Sequence, residues 1–225
     1  MTITVTAFRW VPPFAVGLVR DLRVRWALEE AGLAYEEKLI GSAEQASPEH
    51  RAVQPFGQVP VYEEDPGPGG ERLVLFESGA ILHHIAQRSE VLFPDDAAGR
   101  ARTVQWMFAA LNSVEPHVQN LALIDLFYPD EEWGKLRRPG AVEWAEKRLD
   151  ALAAALGDKD YLTEGRFTAA DLLMTSVLRI LRHTDLVACR PALHALQQRC
   201  EARPAFRKAL ADQLAPFAAN APPGA

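Results

Sequence analysis

Two adjacent polar residues, Glu77 and Ser78, stand at the predicted start of a helix, just ahead of the apolar residues Ala80, Ile81 and Leu82. A serine at the beginning of a helix binds backbone N–H groups that have no partner in the first turn. The same helix end favours a bound carboxylate, because its N–H groups and the helix dipole both attract negative charge. The pair therefore predicts either an anion-binding site or an ordinary helix cap beside a solvated acid.

The dipeptide Val59-Pro60 stands at the start of a predicted strand. Proline weakens strand pairing there because it has no N–H. If its peptide bond is cis, the backbone groups of Val59 point away from the sheet, where they are able to pair with an extended peptide ligand. Gln58 would then be placed to add a side-chain contact. The alternative is a trans proline at a sheet edge, since only about 5–6% of X-Pro bonds are cis.

The histidines and cysteines do not have the spacing of a metal site. His83 and His84 are adjacent, so on a helix they face different directions, whereas a helical metal site needs an i, i+4 pair and further ligands. Cys189 and Cys200 form no C-x-x-C and have no second pair. We expect no metal, and two buried or partly buried thiols in a reduced compartment, which favours a cytoplasmic location.

The elements that would position these residues change in character along the chain. The first 90 or so residues predict, in order, strand, helix, strand, then an antiparallel hairpin and a last helix. Gly32 is expected to end the first helix in a left-handed conformation. The order β-α-β followed by β-β-α is that of a thioredoxin-like domain. The predicted segments are 2–7, 19–31, 35–40, 59–63, 72–76 and 80–87.

Beyond about residue 90 the strong segments are all helical, at 104–111, 145–156, 168–182, 191–203 and 204–214. Pro116 is expected to bend or end the first of these helices. Thr168 and Asp171 predict a capping box, flanked by Phe167 and Leu172 as a hydrophobic staple. We therefore expect two domains, an α/β domain over residues 1–89 and an all-α domain over residues 99–217.

Charge and hydropathy exclude several classes of partner. The formal net charge is −6, which argues against nucleic acid or an anionic membrane as the main partner. No apolar run approaches the roughly 20 residues that a membrane helix needs. The N-terminal residues MTITVTAFRW alternate apolar and hydroxyl side chains, which indicates a first strand and not a signal peptide.

Four stretches, read in order, resemble the cytosolic glutathione S-transferase family. They are RVRWALEEAGLAYE at 23–36, QPFGQVPVYEED at 54–65, LFESGAILHHIA at 75–86 and FTAADLLMTSVLRIL at 167–181. The resemblance covers nearly the whole chain and is that of a bacterial member with no assigned class. It implies a thioredoxin-like domain followed by an all-helical domain, with glutathione as co-substrate, no other cofactor, and a homodimer.

The resemblance also assigns roles within the site. Val59, ahead of a cis Pro60, would hold the cysteinyl part of glutathione, with Gln58 beside it. Glu77 would bind the α-ammonium group of the γ-glutamyl end, while Ser78 and backbone N–H groups bind its α-carboxylate.

One feature of the family is missing. Its members activate the glutathione sulfur with Tyr, Ser or Cys shortly after the first strand, and this chain has no Ser, Thr, Tyr or Cys from Ala7 to Ala34. The aligned positions are Leu18 and Arg20. We predict a first helix that begins near Leu18 to Arg20, with Arg20 either assisting a thiolate or lying on a solvated charged face. Arg25 is expected to form a surface i, i+4 pair with Glu29.

The function predicted from the sequence is an enzyme that transfers the glutathione thiolate to a small hydrophobic electrophile. The alternatives are a glutathione-binding or interaction protein without chemistry, suggested by the missing hydroxyl, and a glutathione-dependent thiol-disulfide reductase or peroxidase. Seven residues are candidates for an electrophile pocket, although most are expected to belong to the core: Trp10, Phe14, Trp106, Phe108, Asn112, Phe127 and Tyr128.

Overall fold

The structure is a computed structural model that describes residues 1–163 and 165–222. The chain divides into two compact units, one made of Met1–Leu92 together with the segment from Pro204 onward, the other of Phe93–Arg203. These bounds differ from the expected domains, 1–89 and 99–217, chiefly because the last helix lies in the first unit.

The first unit begins with the predicted elements in the predicted order, with two short helices added between the second and third strands. They are β1 (Thr2–Phe8), α1 (Asp21–Ala31), β2 (Glu36–Ile40), α2 (Ser42–Ala46), α3 (Pro48–Val53), β3 (Val61–Asp65), β4 (Leu73–Leu75) and α4 (Ser78–Ala86). Gly32 follows α1 with a φ of 65°, as expected for a left-handed helix end. The short helices α2 and α3 were not predicted, since five and six residues are too few to show a helical period.

The four strands form one mixed sheet in the order β2-β1-β3-β4. The β1–β2 pair is parallel and aligns Thr4 with Glu36, which requires the crossover through α1. The β1–β3 and β3–β4 pairs are antiparallel. This arrangement confirms the predicted β-α-β and β-β-α order.

The last helix, α10 (Pro204–Ala219), packs against α1 within the first unit. The rings of Trp26 and Phe206 meet edge to face, with centroids 4.8 Å apart. Gln213 is fully buried and donates from its amide nitrogen to the Val19 carbonyl oxygen at 3.1 Å and to Asp21 Oδ1 at 2.7 Å. The end of the chain therefore stabilises the beginning of α1.

The second unit is helical in its described residues, and its most buried helix spans Ala169–Leu178. Its α-helices are α5 (Ala97–Phe108), α6 (Glu115–Phe127), α7 (Glu132–Leu156), α8 (Ala169–Leu178) and α9 (Pro191–Glu201). A π-helical segment, Ala109–Val114, joins α5 to α6, and Pro116 lies in the first turn of α6, where a residue without an N–H is tolerated. No described helix has the length and apolarity needed to cross a membrane.

The capping box at the start of α8 is confirmed. The Thr168 N–H donates to Asp171 Oδ2 at 2.9 Å, and the Leu162 N–H donates to Asp171 Oδ1 at 2.7 Å. Thr168, Asp171 and Leu172 are fully buried, and Phe167 is 5% exposed. Burial raises the pKa of Asp171 to about 6, against the opposing effect of these backbone N–H groups.

Candidate functional site

The strand register brings the candidate residues to one end of the sheet. Residue Thr6, near the end of β1, pairs with Val61, the first residue of β3, and Tyr62 pairs with Leu75, the last residue of β4. The segment that follows β1, the segment that precedes β3 and the segment that follows β4 therefore all leave the sheet at the same end. Those three segments carry Arg20, the stretch 58–60 and the pair 77–78.

The peptide bond between Val59 and Pro60 is cis, as predicted. Both residues are buried and precede the β1–β3 ladder, which begins at Val61. The side chain of Gln58 is exposed, while its carbonyl oxygen lies 2.8 Å from His50 Nε2. His50 is 8% exposed and was not identified from the sequence, because a single histidine in a short helix has no distinguishing signal.

Glu77 has the only positive φ among the described non-glycine residues, with φ 69° and ψ 110°. A left-handed backbone at a glutamate costs on the order of 1–3 kcal/mol, and such strain is concentrated at functional sites. Glu77 is the N-cap of α4, and its side chain is exposed. The backbone thus presents this carboxylate to solvent at the end of the sheet.

Ser78 is the first helical residue of α4 and not the cap that the sequence predicted. Its side chain is 5% exposed, and its Oγ accepts a hydrogen bond from Arg23 Nη1 at 3.1 Å. Arg23 itself is 3% exposed. The sequence had indicated Arg23 only as a charge near the start of α1, because a contact across 55 residues leaves no local pattern.

The beginning of α1 differs from the expectation. The helix begins at Asp21 with Arg20 as its N-cap, and Arg20 is partly exposed. The N–H groups of Leu22 and Arg23 donate to the Val19 and Arg20 carbonyl oxygens at 3.0 and 3.1 Å. Those two donors are therefore satisfied within the chain and are not available to a ligand.

A buried charge cluster anchors this end of α1. Arg25 is fully buried, and its Nε lies 2.7 Å from Asp21 Oδ2, with a second ion pair to Glu37. The predicted surface pair of Arg25 with Glu29 is therefore wrong. Burial raises the pKa of Asp21, and the neighbouring Arg25 guanidinium opposes that rise.

The seven candidates for an electrophile pocket are all at least partly exposed, so the expectation that most belong to the core is wrong. Phe108 is 61% exposed and Phe127 is 52% exposed. Among the described residues, no group of three His, Cys, Asp or Glu side chains is arranged to hold a metal ion. Cys189 is exposed and Cys200 is buried.

Comparison with protein-family models gives two matches. Residues 14–87 match the model described as "Glutathione S-transferase, N-terminal domain", and residues 128–204 match "Glutathione S-transferase, C-terminal domain".

Individual proteins match over most of the chain. Glutathione S-transferase 4 of Zea mays is 32% identical over 89% of this chain and 90% of its own length. The disulfide-bond oxidoreductase YfcG of Escherichia coli (strain K12) is 28% identical over 81% of this chain and 86% of its own. A crystal structure of a glutathione transferase from Burkholderia graminis, with two glutathione molecules bound per subunit, superposes with a TM-score of 0.80. The two sequences are 27% identical, and the superposition covers 93% of this chain and 87% of the Burkholderia graminis chain.

Proposed function

Because the chain belongs to the glutathione S-transferase family, we propose that it binds glutathione at the end of the sheet and transfers its thiolate to a small hydrophobic electrophile. The observation that carries the proposal is the backbone at Glu77. A strained glutamate is placed there directly before a buried serine at a helix N-terminus. This pair has the charge distribution that a zwitterionic amino-acid group requires.

The γ-glutamyl end of glutathione carries an α-ammonium and an α-carboxylate. The exposed carboxylate of Glu77 binds the ammonium by charge-assisted hydrogen bonds. Ser78 and the first N–H groups of α4 bind the carboxylate, aided by the helix dipole.

The cysteinyl part of glutathione pairs with the backbone of Val59. Support comes from its position, since Val59 precedes the first paired residue of β3 and its backbone is outside the β1–β3 ladder. A short peptide is able to extend such a segment by strand addition. Gln58 adds a side-chain contact, and the contact from His50 to its carbonyl oxygen fixes the loop.

Arg20 is the proposed group beside the sulfur. It precedes α1 at the aligned position where other members carry an activating residue, and a guanidinium stabilises a thiolate by charge and hydrogen bonding. Arg20→Ala should therefore raise the pKa of the bound thiol and lower turnover, with a small loss of affinity. The ultraviolet absorbance of the thiolate, titrated against pH, measures this directly. A variant that titrates like the parent removes Arg20 from the mechanism.

Two other functions remain in competition. A binding protein without chemistry is favoured by the absence of Ser, Thr, Tyr and Cys from residues 7–34. A thiol-disulfide reductase is favoured by the likeness to a disulfide-bond oxidoreductase. Turnover of an electrophile panel and of small glutathione-mixed disulfides separates the three, because a protein without chemistry turns over neither class.

The binding experiment is calorimetry with glutathione on the parent, on Glu77→Ala and on Glu90→Ala. Glu90 is an exposed glutamate beyond α4 and serves as the matched control. Loss of hydrogen bonds to a charged group weakens binding by about 1.5–3 kcal/mol, or roughly 10- to 150-fold. Unchanged affinity in a folded Glu77→Ala, or equal losses in both variants, contradicts the proposed site.

We also propose a homodimer and a cytoplasmic location. The homodimer is supported by the likeness over nearly the full chain to a family that forms dimers. Light scattering should give twice the monomer mass of 24.9 kDa, and a monomer mass at micromolar concentration contradicts it.

A further inference from the structure

Arg23 is a buried cation directly behind the proposed glutathione site. It is the third residue of α1, is 3% exposed and donates from Nη1 to Ser78 Oγ at 3.1 Å. Its backbone N–H donates to the Arg20 carbonyl oxygen at 3.1 Å, so the first turn of α1 holds the backbone of Arg23 in place. The contact joins the start of α1 to the start of α4.

The chemistry of the two groups fixes the direction of this hydrogen bond. A guanidinium has only donors, so the Ser78 oxygen must accept. The hydroxyl proton of Ser78 is then directed away from Arg23 and is left to donate to another group. Arg23 thus turns a serine that could either accept or donate into a donor.

The charges on the two sides of this donor are opposite. Glu77, immediately before Ser78, has an exposed carboxylate, which would repel a ligand carboxylate bound beside it. The buried guanidinium of Arg23 offsets that repulsion on the side of Ser78. The resulting pattern, an anion next to a cation-backed hydroxyl, is complementary to an α-amino acid zwitterion.

We propose that Arg23 is a positioning residue that makes Ser78 a donor to the α-carboxylate of glutathione and makes the site selective for a ligand that carries this carboxylate. The inference rests on the proposed binding of glutathione.

The test compares glutathione with two analogues by calorimetry. In 4-aminobutanoyl-cysteinyl-glycine the α-carboxylate is absent and the ammonium is kept, whereas glutaryl-cysteinyl-glycine keeps a carboxylate and lacks the ammonium. Arg23→Met should weaken glutathione binding by about 10- to 100-fold, the effect of losing a charged hydrogen-bonding group. It should leave the affinity for 4-aminobutanoyl-cysteinyl-glycine within about twofold. Glutaryl-cysteinyl-glycine should show the loss seen with glutathione.

Arg23→Lys should recover part of the selectivity, because an ammonium keeps the charge and a donor but loses the planar fork. Arg207→Met, which removes an exposed arginine of α10, is the control and should bind all three ligands like the parent. Ser78→Ala keeps the guanidinium of Arg23 and removes the hydroxyl that it contacts. It should lose the same carboxylate-dependent affinity.

A merely structural role of Arg23 would weaken glutathione and 4-aminobutanoyl-cysteinyl-glycine equally. Equal losses in Arg23→Met, or in Arg23→Lys if the former does not fold, overturn the inference while the proposed function stands. Failure of the parent to bind glutathione overturns the proposed function and this inference with it.

Discussion

Removal of the Asp21 carboxylate should destabilise the protein strongly, because Asp21 is the buried one of the two carboxylates that pair with the buried guanidinium of Arg25. The two side chains are 1% and 0% exposed and lie 2.7 Å apart, and the second partner, Glu37, is 31% exposed. Breaking a buried ion pair by removing one member costs about 3–5 kcal/mol. Asp21→Asn keeps the volume and removes the charge, so the loss should fall in that range.

The assay is denaturant unfolding, followed by tryptophan fluorescence and circular dichroism. The matched control is Asp212→Asn, because Lys208 and Asp212 form an i, i+4 pair of the same spacing at 2.5 Å with side chains 58% and 32% exposed. An exposed pair contributes about 0.2–1 kcal/mol, so the control should lose no more than that.

A double-mutant cycle tests the cause. Replacing both members by apolar residues, as in Asp21→Leu with Arg25→Met, removes the unpaired charge and should cost less than the sum of the single replacements. Glu37 is exposed enough to be solvated without its partner. If Asp21→Asn loses no more free energy of unfolding than the exposed control, or if the two replacements add, the buried pair is not what stabilises α1.

Three further outcomes are expected. Asp171→Ala should lower the free energy of unfolding by about 2–5 kcal/mol, because the N–H groups of Leu162 and Thr168 lose their buried acceptor; denaturant unfolding measures it. The folded pKa of Asp171, about 6, lies above its ordinary value of 3.8. The contribution of its protonated form to the free energy of unfolding should therefore be complete below pH 4 and should decline by about 3 kcal/mol as pH rises through 6. The Asp171→Asn variant should not show this decline. A thiol reagent should modify exposed Cys189 in the folded protein but reach buried Cys200, whose pKa burial raises to about 12, only after unfolding; two fast thiols would refute this.

The order of elements was predictable from the sequence because each main element is long enough to show its own period. The left-handed Gly32 and the capping box of Thr168 and Asp171 are local as well, since their partners lie within a few residues. The place of α10 was not predictable from local pattern. It depends on contacts such as Gln213 with Asp21, which are 192 residues apart.

The site was predictable only in part for the same reason. Val59-Pro60 and Glu77-Ser78 are short motifs and could be identified, together with the cis bond. The buried side chains that support these motifs could not be identified from the sequence. Arg25 has the i, i+4 spacing of a surface pair with Glu29, and only the fold shows that it is buried and that its partners are Asp21 and Glu37.

The charges at the two helix N-termini favour anion binding by backbone N–H groups at α4 and not at α1. The first turn of α1 contains the buried carboxylate of Asp21, whereas at α4 the acidic residue is the exposed N-cap Glu77, the first turn itself has none, and Arg23 contacts Ser78. An anion bound at the start of α1 would meet a second anion, and two of the N–H groups there already have partners. Anion binding by backbone is therefore favoured at α4. A thiolate near α1 depends on a side-chain cation such as Arg20, and the catalytic proposal accordingly rests more on Arg20 than on the helix dipole.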